Sequence, residues 1–261
     1  MTRDGGGGTE AGSPRDAPEL GAVRDAFERF GRADPMYAAL TRPGREGNRW
    51  DPEEFFEDGR LEIRAVLDYL SARDVDPGRG RALDFGCAVG RLTQALAEHF
   101  EEAVGVDIAS AMIEAARAHN RHGGRVRYLL NTAPDLGPLE TGSFDFVYTN
   151  KVLQHIPPEA QYAYIREFMR VLRRGGVAVF QTRNGPRIEP GTPRALLYTI
   201  NRRHIRRLTQ RLRGRVPYEM HFVARARVEE EVARAGGWVV DVVDLSRGRA
   251  GKSLRYCAVR A

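Results

Sequence analysis

The residues best placed for chemistry lie between positions 81 and 107. In Arg81-Ala-Leu-Asp-Phe-Gly-Cys-Ala-Val-Gly-Arg-Leu-Thr93, Asp84 stands two residues before Gly86, and Gly90 follows four later. Ala82, Leu83 and Phe85 read as a short buried strand. Leu92, Ala95, Leu96 and Phe100 read as one face of a helix. Glycines at such a junction let the backbone bend sharply and come close to a ligand. The helix start aims free N–H groups at that ligand. Asp107 ends the next apolar run, 21 residues after Gly86. An acid near that distance can accept both hydroxyls of a ribose. The plain alternatives are an ordinary strand-to-helix turn and a helix-flanking carboxylate before Ser110.

A dinucleotide would explain the glycines, but its fingerprint needs Gly-x-Gly-x-x-Gly. Here the positions read Gly86-Cys87-Ala88-Val89-Gly90-Arg91, so the second and third glycines are missing. Asp84 would also set a negative charge near the phosphates. The pattern better suits a ligand without phosphate and with a positive end.

The pattern Asp84-x-Gly86-x-x-x-Gly90 resembles motif I of the class I S-adenosylmethionine-dependent methyltransferases. That family usually has another glycine where Ala88 stands. Three later features extend the resemblance. Asp107 ends the second strand. Phe144-Asp-Phe-Val-Tyr-Thr-Asn-Lys-Val-Leu-Gln-His-Ile-Pro157 is similar to motif IV of the small-molecule members. Phe168-Met-Arg-Val-Leu-Arg-Arg-Gly-Gly-Val-Ala-Val-Phe180 is similar to their helix, Gly-Gly turn and fifth strand.

The resemblance implies a set of cofactor contacts. Asp84, Gly86, Cys87, Ala88, Gly90 and Leu92 belong to the loop that wraps the methionine part, with Asp84 orienting its ammonium group. Asp107, Ile108 and Met112 would face the ribose and adenine. Asn131, Thr132 and Ala133 end the third strand, where a side chain bonds the adenine amino group. Asn150, Lys151 and Val152 follow the fourth strand. His155 stands where the family's loop passes between cofactor and substrate. Histidine titrates near neutral pH and can take a proton from a hydroxyl. A structural histidine in the Ile156-Pro157-Pro158 turn is the alternative. His221, in Tyr218-Glu219-Met220-His221-Phe222, is the second candidate base.

Absences narrow the chemistry. Asn150-Lys151-Val152-Leu153 is not the Asn/Asp-Pro-Pro-Tyr of amino methylation on nucleobases. Cys87 and Cys257 are both far from this loop in sequence, so a nucleophilic cysteine is not supplied there. Metal ligands are not expected, since Asn150 and Lys151 replace the carboxylates a metal-dependent O-methyltransferase needs.

The elements that must position these residues follow from patterning. The chain has 261 residues, 42% hydrophobic and 29% charged, enough for one sizeable α/β domain with additions. Residues 1–18 are Gly/Pro/Ser-rich and read as a disordered tail. Residues 19–78 read as a helical N-terminal arm, with Leu20, Val23, Phe27 and Phe30, then Ile63, Val66, Leu67 and Leu70, at helical spacing. Residues 79–261 read as the methyltransferase domain. Strands are expected at 81–85, 102–107, 125–131, 144–149 and 176–182, and helices at 91–100, 110–121 (Ser110 as N-cap) and 159–173. A helix at 225–235 and strands at 238–245 and 253–260 close the chain. Alternation of this kind implies an α/β, doubly wound, Rossmann-like sheet. The resemblance makes it seven-stranded with an antiparallel last strand.

A lid insert is expected at about 183–224. It holds the charge: residues 190–218 carry arginines at 194, 202, 203, 206, 207, 211, 213 and 215 and no carboxylate. The formal charge is +6 overall. Leu197, Ile200, Ile205, Leu208 and Leu212 form a rough apolar stripe among them. The insert reads either as a cleft lid with solvated arginines or as a surface for an anionic substrate, a carrier protein, nucleic acid or a membrane face. No membrane span or signal peptide is visible, so a cytoplasmic location is expected.

The expected cofactor is S-adenosyl-L-methionine and the expected partner a small-molecule substrate, a specialised metabolite or glycan, methylated at oxygen. Nucleic acid is not the expected partner, and the oligomeric state is left open. Two alternatives stay open: a nucleic-acid or carrier-bound substrate held by the arginines, and a non-catalytic cofactor-binding protein.

Overall fold

The computed structural model describes residues 18–185, 219–246 and 252–261. Residues 1–17 of the expected tail, and the part of the expected lid at 186–218 that holds the arginines, lie outside these residues. Three helices come first: α1 (Pro18–Ala33), α2 (Pro35–Ala39) and α3 (Pro52–Ser71). Then strand and helix alternate: β1 (Arg81–Phe85), α4 (Arg91–Leu96), β2 (Glu102–Asp107), α5 (Ser110–Ala118), β3 (Val126–Leu130), β4 (Phe144–Thr149), α6 (Pro158–Val171) and β5 (Leu172–Asn184). After the undescribed stretch come α7 (Arg225–Arg234), β6 (Gly237–Asp244) and β7 (Lys252–Arg260).

The strands form one seven-stranded sheet in the order β3-β2-β1-β4-β5-β7-β6. β1 pairs in parallel with β2 on one side and β4 on the other. β7 runs antiparallel to both β5 and β6. This is the doubly wound sheet with an antiparallel last strand. Strand order reverses between β1 and β4, and in such sheets a crevice opens there at the strands' carboxyl ends.

The central strands are apolar on both faces, as strands covered by helices must be. One core holds Leu83, Val104, Val106, Val147, Phe168 and Phe180. The other holds Ala82, Phe146, Tyr148, Val179, Leu96 and Phe100, closed by Ile63, Val66 and Leu70 of α3. The arm helix α3 therefore completes one core layer. A third cluster joins Trp50, Phe55 and Phe56 of the arm to Val89, Ala109 and Met112 of the domain.

Some boundaries differ from expectation for local reasons. α3 begins at Pro52, because Asp51 caps it by accepting the Glu54 N–H at 2.9 Å and proline suits a first helical position. Ser110 is the first residue of α5 and not its cap. The capping group comes from α1: the Glu28 carboxylate accepts the Ser110 hydroxyl at 3.0 Å and the Ala111 N–H at 3.2 Å. A carboxylate at a helix N-terminus also meets the positive end of its dipole. β5 is longer than the run 176–182, since pairing with β7 continues to Asn184.

Candidate cofactor site

The turn after β1 is built on left-handed backbone. Gly86, Ala88 and Gly90 have φ of 76°, 47° and 79°. Only glycine takes this region without cost, and an alanine there carries about 1 kcal/mol of strain. A side chain at Gly86 would run into Val152, and one at Gly90 into the Tyr128 hydroxyl. The turn is thus pressed between the loop after β4 and the floor of β3. Gly86 and Cys87 both donate backbone N–H to Val106 O, at 2.8 and 3.0 Å.

Carboxylates gather around this turn. Asp84 is 1% exposed and accepts the Thr93 hydroxyl at 2.6 Å. Burial pushes its pKa up to about 7, against the pull of the Thr93 bond. Asp107 accepts the Ala88 N–H at one oxygen and the Ala109 N–H at the other, both at 2.9 Å. It thereby ties the glycine turn to the start of α5, and each oxygen keeps lone pairs for a diol. Glu62, on α3, completes the set. Its Oε1 accepts the Tyr148 hydroxyl at 2.8 Å and the Asn150 amide at 2.7 Å. Its Oε2 accepts from Arg91 at 2.8 Å.

Arg91, the first residue of α4, is buried and bridges Glu62 to Asp58, the latter at 2.8 Å. Burial alone would raise the Glu62 carboxyl. The Arg91 charge and the three hydrogen bonds outweigh it and hold the group below its ordinary value.

Asn131 sits just past β3 and is buried. Its amide nitrogen donates to Asp135 O at 2.7 Å, stitching the 131–136 loop, while Tyr164 donates to Ala133 O at 2.7 Å. The amide oxygen of Asn131 is what remains for a ligand's amino group. After β4, Lys151 is exposed and takes a left-handed φ of 63°. Val152 then leads into one 3₁₀ turn, Leu153–His155.

His155 and His221 come together at this turn. The His221 N–H donates to Gln154 O at 2.7 Å. His155 Nδ1 lies 3.3 Å from Glu219 O, and Nε2 lies 3.2 Å from the Gln154 amide nitrogen. Both contacts are satisfied by the neutral ring protonated at Nδ1. Phe27 of the arm meets the ring edge-on at 5.5 Å. His221 Nε2 is 3.9 Å from a Glu219 carboxylate oxygen.

Three of the expected contacts have buried side chains. Met112 is 0% exposed in the cluster shared with the arm. Leu92 and Cys87 pack into the layer beneath α3 and α4. Helical periodicity turns positions 92 and 112 inward, and burial pushes the Cys87 thiol well up, away from nucleophilic use. Sequence reasoning missed Glu62, Asp58 and Arg91. The acids are spaced i, i+4 on the arm helix, but nothing local ties them to a position some 30 residues on.

Among the described residues no cluster of three or more metal-ligating side chains occurs, and no helix is long and apolar enough to cross a membrane.

Residues 83–180 match the methyltransferase domain family. These residues lie within the seven-stranded sheet, so the chain carries a methyltransferase domain with the fold of the class I S-adenosylmethionine-dependent methyltransferases. It is 35% identical over 119 residues to the ubiquinone biosynthesis O-methyltransferase of Xanthomonas oryzae pv. oryzae, spanning 45% of this chain and 48% of that one. The counterpart in Hahella chejuensis is 33% identical over 152 residues, 58% of this chain and 60% of that one. The chain thus spans about half the length of the curated relatives it matches. Among solved structures, magnesium protoporphyrin IX methyltransferase from Synechocystis, with S-adenosylhomocysteine bound, superposes with a TM-score of 0.59 at 21% identity. That match covers 92% of this chain and 98% of that one. Geranyl diphosphate C-methyltransferase from Streptomyces coelicolor gives 0.60 at 17% identity, over 96% and 100%.

Proposed function

We propose that the chain transfers a methyl group from S-adenosylmethionine to an oxygen of a small molecule. The supporting observation is the sign of the site. Asp107 and Glu62 stand beside a turn of left-handed backbone, Arg91 is already paired to Glu62 and Asp58, and the buried Asp84, its pKa raised to about 7, adds only part of a charge at neutral pH. Such a site favours a ligand with an ammonium and a sulfonium and opposes a pyrophosphate. The group fits the donor set: Asp107 offers acceptors for a ribose diol, and Asn131 offers Oδ1 for an adenine amino group. The relatives named for O-methylation favour oxygen as the acceptor.

When bound, the cofactor supplies an electrophilic methyl carbon on sulfur. Transfer to an acceptor oxygen would form one carbon–oxygen bond and break the carbon–sulfur bond, its electron pair leaving with sulfur. The chain's share is to align the two and to receive the acceptor's proton. His155 is the first candidate for that proton at Nε2, exchanging the Gln154 amide for the substrate hydroxyl. His221 is the second.

Calorimetry tests the cofactor: S-adenosylhomocysteine should bind in the range of about 1–100 μM, weaker than the nanomolar scale, and NAD negligibly. The opposite preference would end this reading. With an acceptor found by labelled-methyl transfer, His155→Ala should slow single turnover about 10²–10⁴-fold and leave S-adenosylhomocysteine affinity nearly unchanged. A near-normal rate would remove His155, and His221→Ala would then separate a second base from catalysis by alignment alone.

The arginines of 190–218 favour one second reading, an acceptor carried on an acidic protein or a nucleic acid. Acceptor binding that weakens steeply with salt would support it.

A further inference from the structure

The arm helix α3 reaches Tyr148 and Asn150, beside the candidate cofactor site, through the side chain of Glu62, and that contact has no counterpart in the sequence motifs. Its carboxylate sits where three segments meet. Oε1 takes the Tyr148 hydroxyl from β4 and the Asn150 amide from the loop that follows. Oε2 takes Arg91, the first residue after the glycine turn. The side chain is 21% exposed, so it is largely buried and is not a surface acid.

The contact is rigidly backed. A Cβ at Gly59, one turn before Glu62, would lie 2.6 Å from the Arg91 carbonyl oxygen, so α3 packs on α4 at backbone distance. Asp58 holds the other side of Arg91 at 2.8 Å and is itself held by Arg42 at 2.6 Å. A chain of ion pairs therefore runs from Arg42 through Asp58 and Arg91 to Glu62, and a hydrogen bond carries it on to Asn150. Networks of this kind cost little further ordering once one member is fixed.

The chemistry of the contact sets its consequence. Asn150 spends its amide nitrogen on Glu62, which leaves its Oδ1 as the group it can turn to a ligand. A carboxylate at this point also adds negative potential beside the glycine turn. Both effects favour a cationic group between the ends of β1 and β4.

We propose that Glu62 is a positioning residue for the amino-acid end of the cofactor: it fixes the Asn150 amide and the Arg91 start of α4, the two walls between which that end is held. This rests on the cofactor reading above. It makes the N-terminal arm part of the binding site as well as part of the core.

The test compares two probes that differ at that end, S-adenosylhomocysteine and 5′-methylthioadenosine, which keeps the nucleoside and lacks the amino acid. In the full chain, Glu62→Gln puts an amide N–H against Arg91. Losing a hydrogen bond to a charged group should weaken S-adenosylhomocysteine about tenfold or more and leave methylthioadenosine within about twofold. Asn150→Ala, which leaves both ion pairs of Arg91 in place, should give the same selective loss. Adding Glu62→Gln to it should cost little more. This second variant keeps the proposal testable if Glu62→Gln folds poorly. Unchanged affinity for both probes, or an equal loss of both, would overturn the role of Glu62. Failure of the wild-type chain to bind S-adenosylhomocysteine would overturn the cofactor reading itself, and Glu62's role with it.

Discussion

Asp107 carries two jobs on one carboxylate. It closes the backbone between Ala88 and Ala109, and it keeps lone pairs at the end of β2 for a ribose. Asp107→Ala should therefore lose about 1.5–3 kcal/mol of S-adenosylhomocysteine affinity, the scale of hydrogen bonds to a charged acceptor. Unchanged affinity in a well-folded variant would put the ribose elsewhere. Asp84 makes a different prediction, because burial raises its pKa to about 7. An unfolded aspartate titrates near pH ~4, so between there and about 7 the folded chain holds a proton that the unfolded chain has lost. That stabilising contribution is complete at low pH and is lost as pH rises through this window. Asp84→Asn carries no such proton, so its stability relative to wild type should climb from about pH 4 to about pH 7 and then level off. Parallel stability curves for the two proteins would give Asp84 an ordinary pKa.

Elements decide how close these residues come. The β1–α4 turn works because Gly90 leaves room for the Tyr128 hydroxyl below it and takes a φ of 79°. Gly90→Ala adds a clash to left-handed strain, and should cost about 2–4 kcal/mol of stability in denaturant unfolding. A loss below 1 kcal/mol, smaller than strain alone predicts, would mean that β3 yields easily. The β1, β2 and β4 strands were legible because apolar runs of five or six residues bounded by glycine and aspartate have few other readings. The full reach of α3 was not, because Pro52 looks like a breaker until the Asp51 cap makes it a first-turn residue. The α5 cap was misplaced for the same kind of reason: its carboxylate, Glu28, lies 82 positions from Ser110.

For the whole molecule, the division of charge carries the remaining prediction. The glycine turn and its carboxylates lie outside 190–218, where the arginines concentrate. Replacing Arg202, Arg203, Arg206 and Arg207 with Gln should leave S-adenosylhomocysteine affinity within about twofold, since none of the residues that match the cofactor motifs belongs to that segment. A large loss in calorimetry would make that segment part of the cofactor site. If the arginines hold a carrier or nucleic acid, the same variant should flatten the salt dependence of acceptor binding.

The sequence by itself determined the sheet, its alternating helices and the positions of Gly86, Gly90 and Asp107. Those depend on period, on glycine's backbone freedom and on spacing along one strand–turn–helix unit, all local quantities. Only the tertiary structure decided which side chains near the motifs are buried in the core layers. Cys87, Leu92 and Met112 share the motif's neighbourhood in sequence, yet pack inward, because helix and sheet layers must bury one face. Glu62, Asp58 and Glu28 stand far from every motif and reach the site because the arm helices complete the core beside it. Hydrophobic burial, which has no direction of its own, sets where those helices dock, and docking alone brings their carboxylates to Arg91, Asn150 and the start of α5.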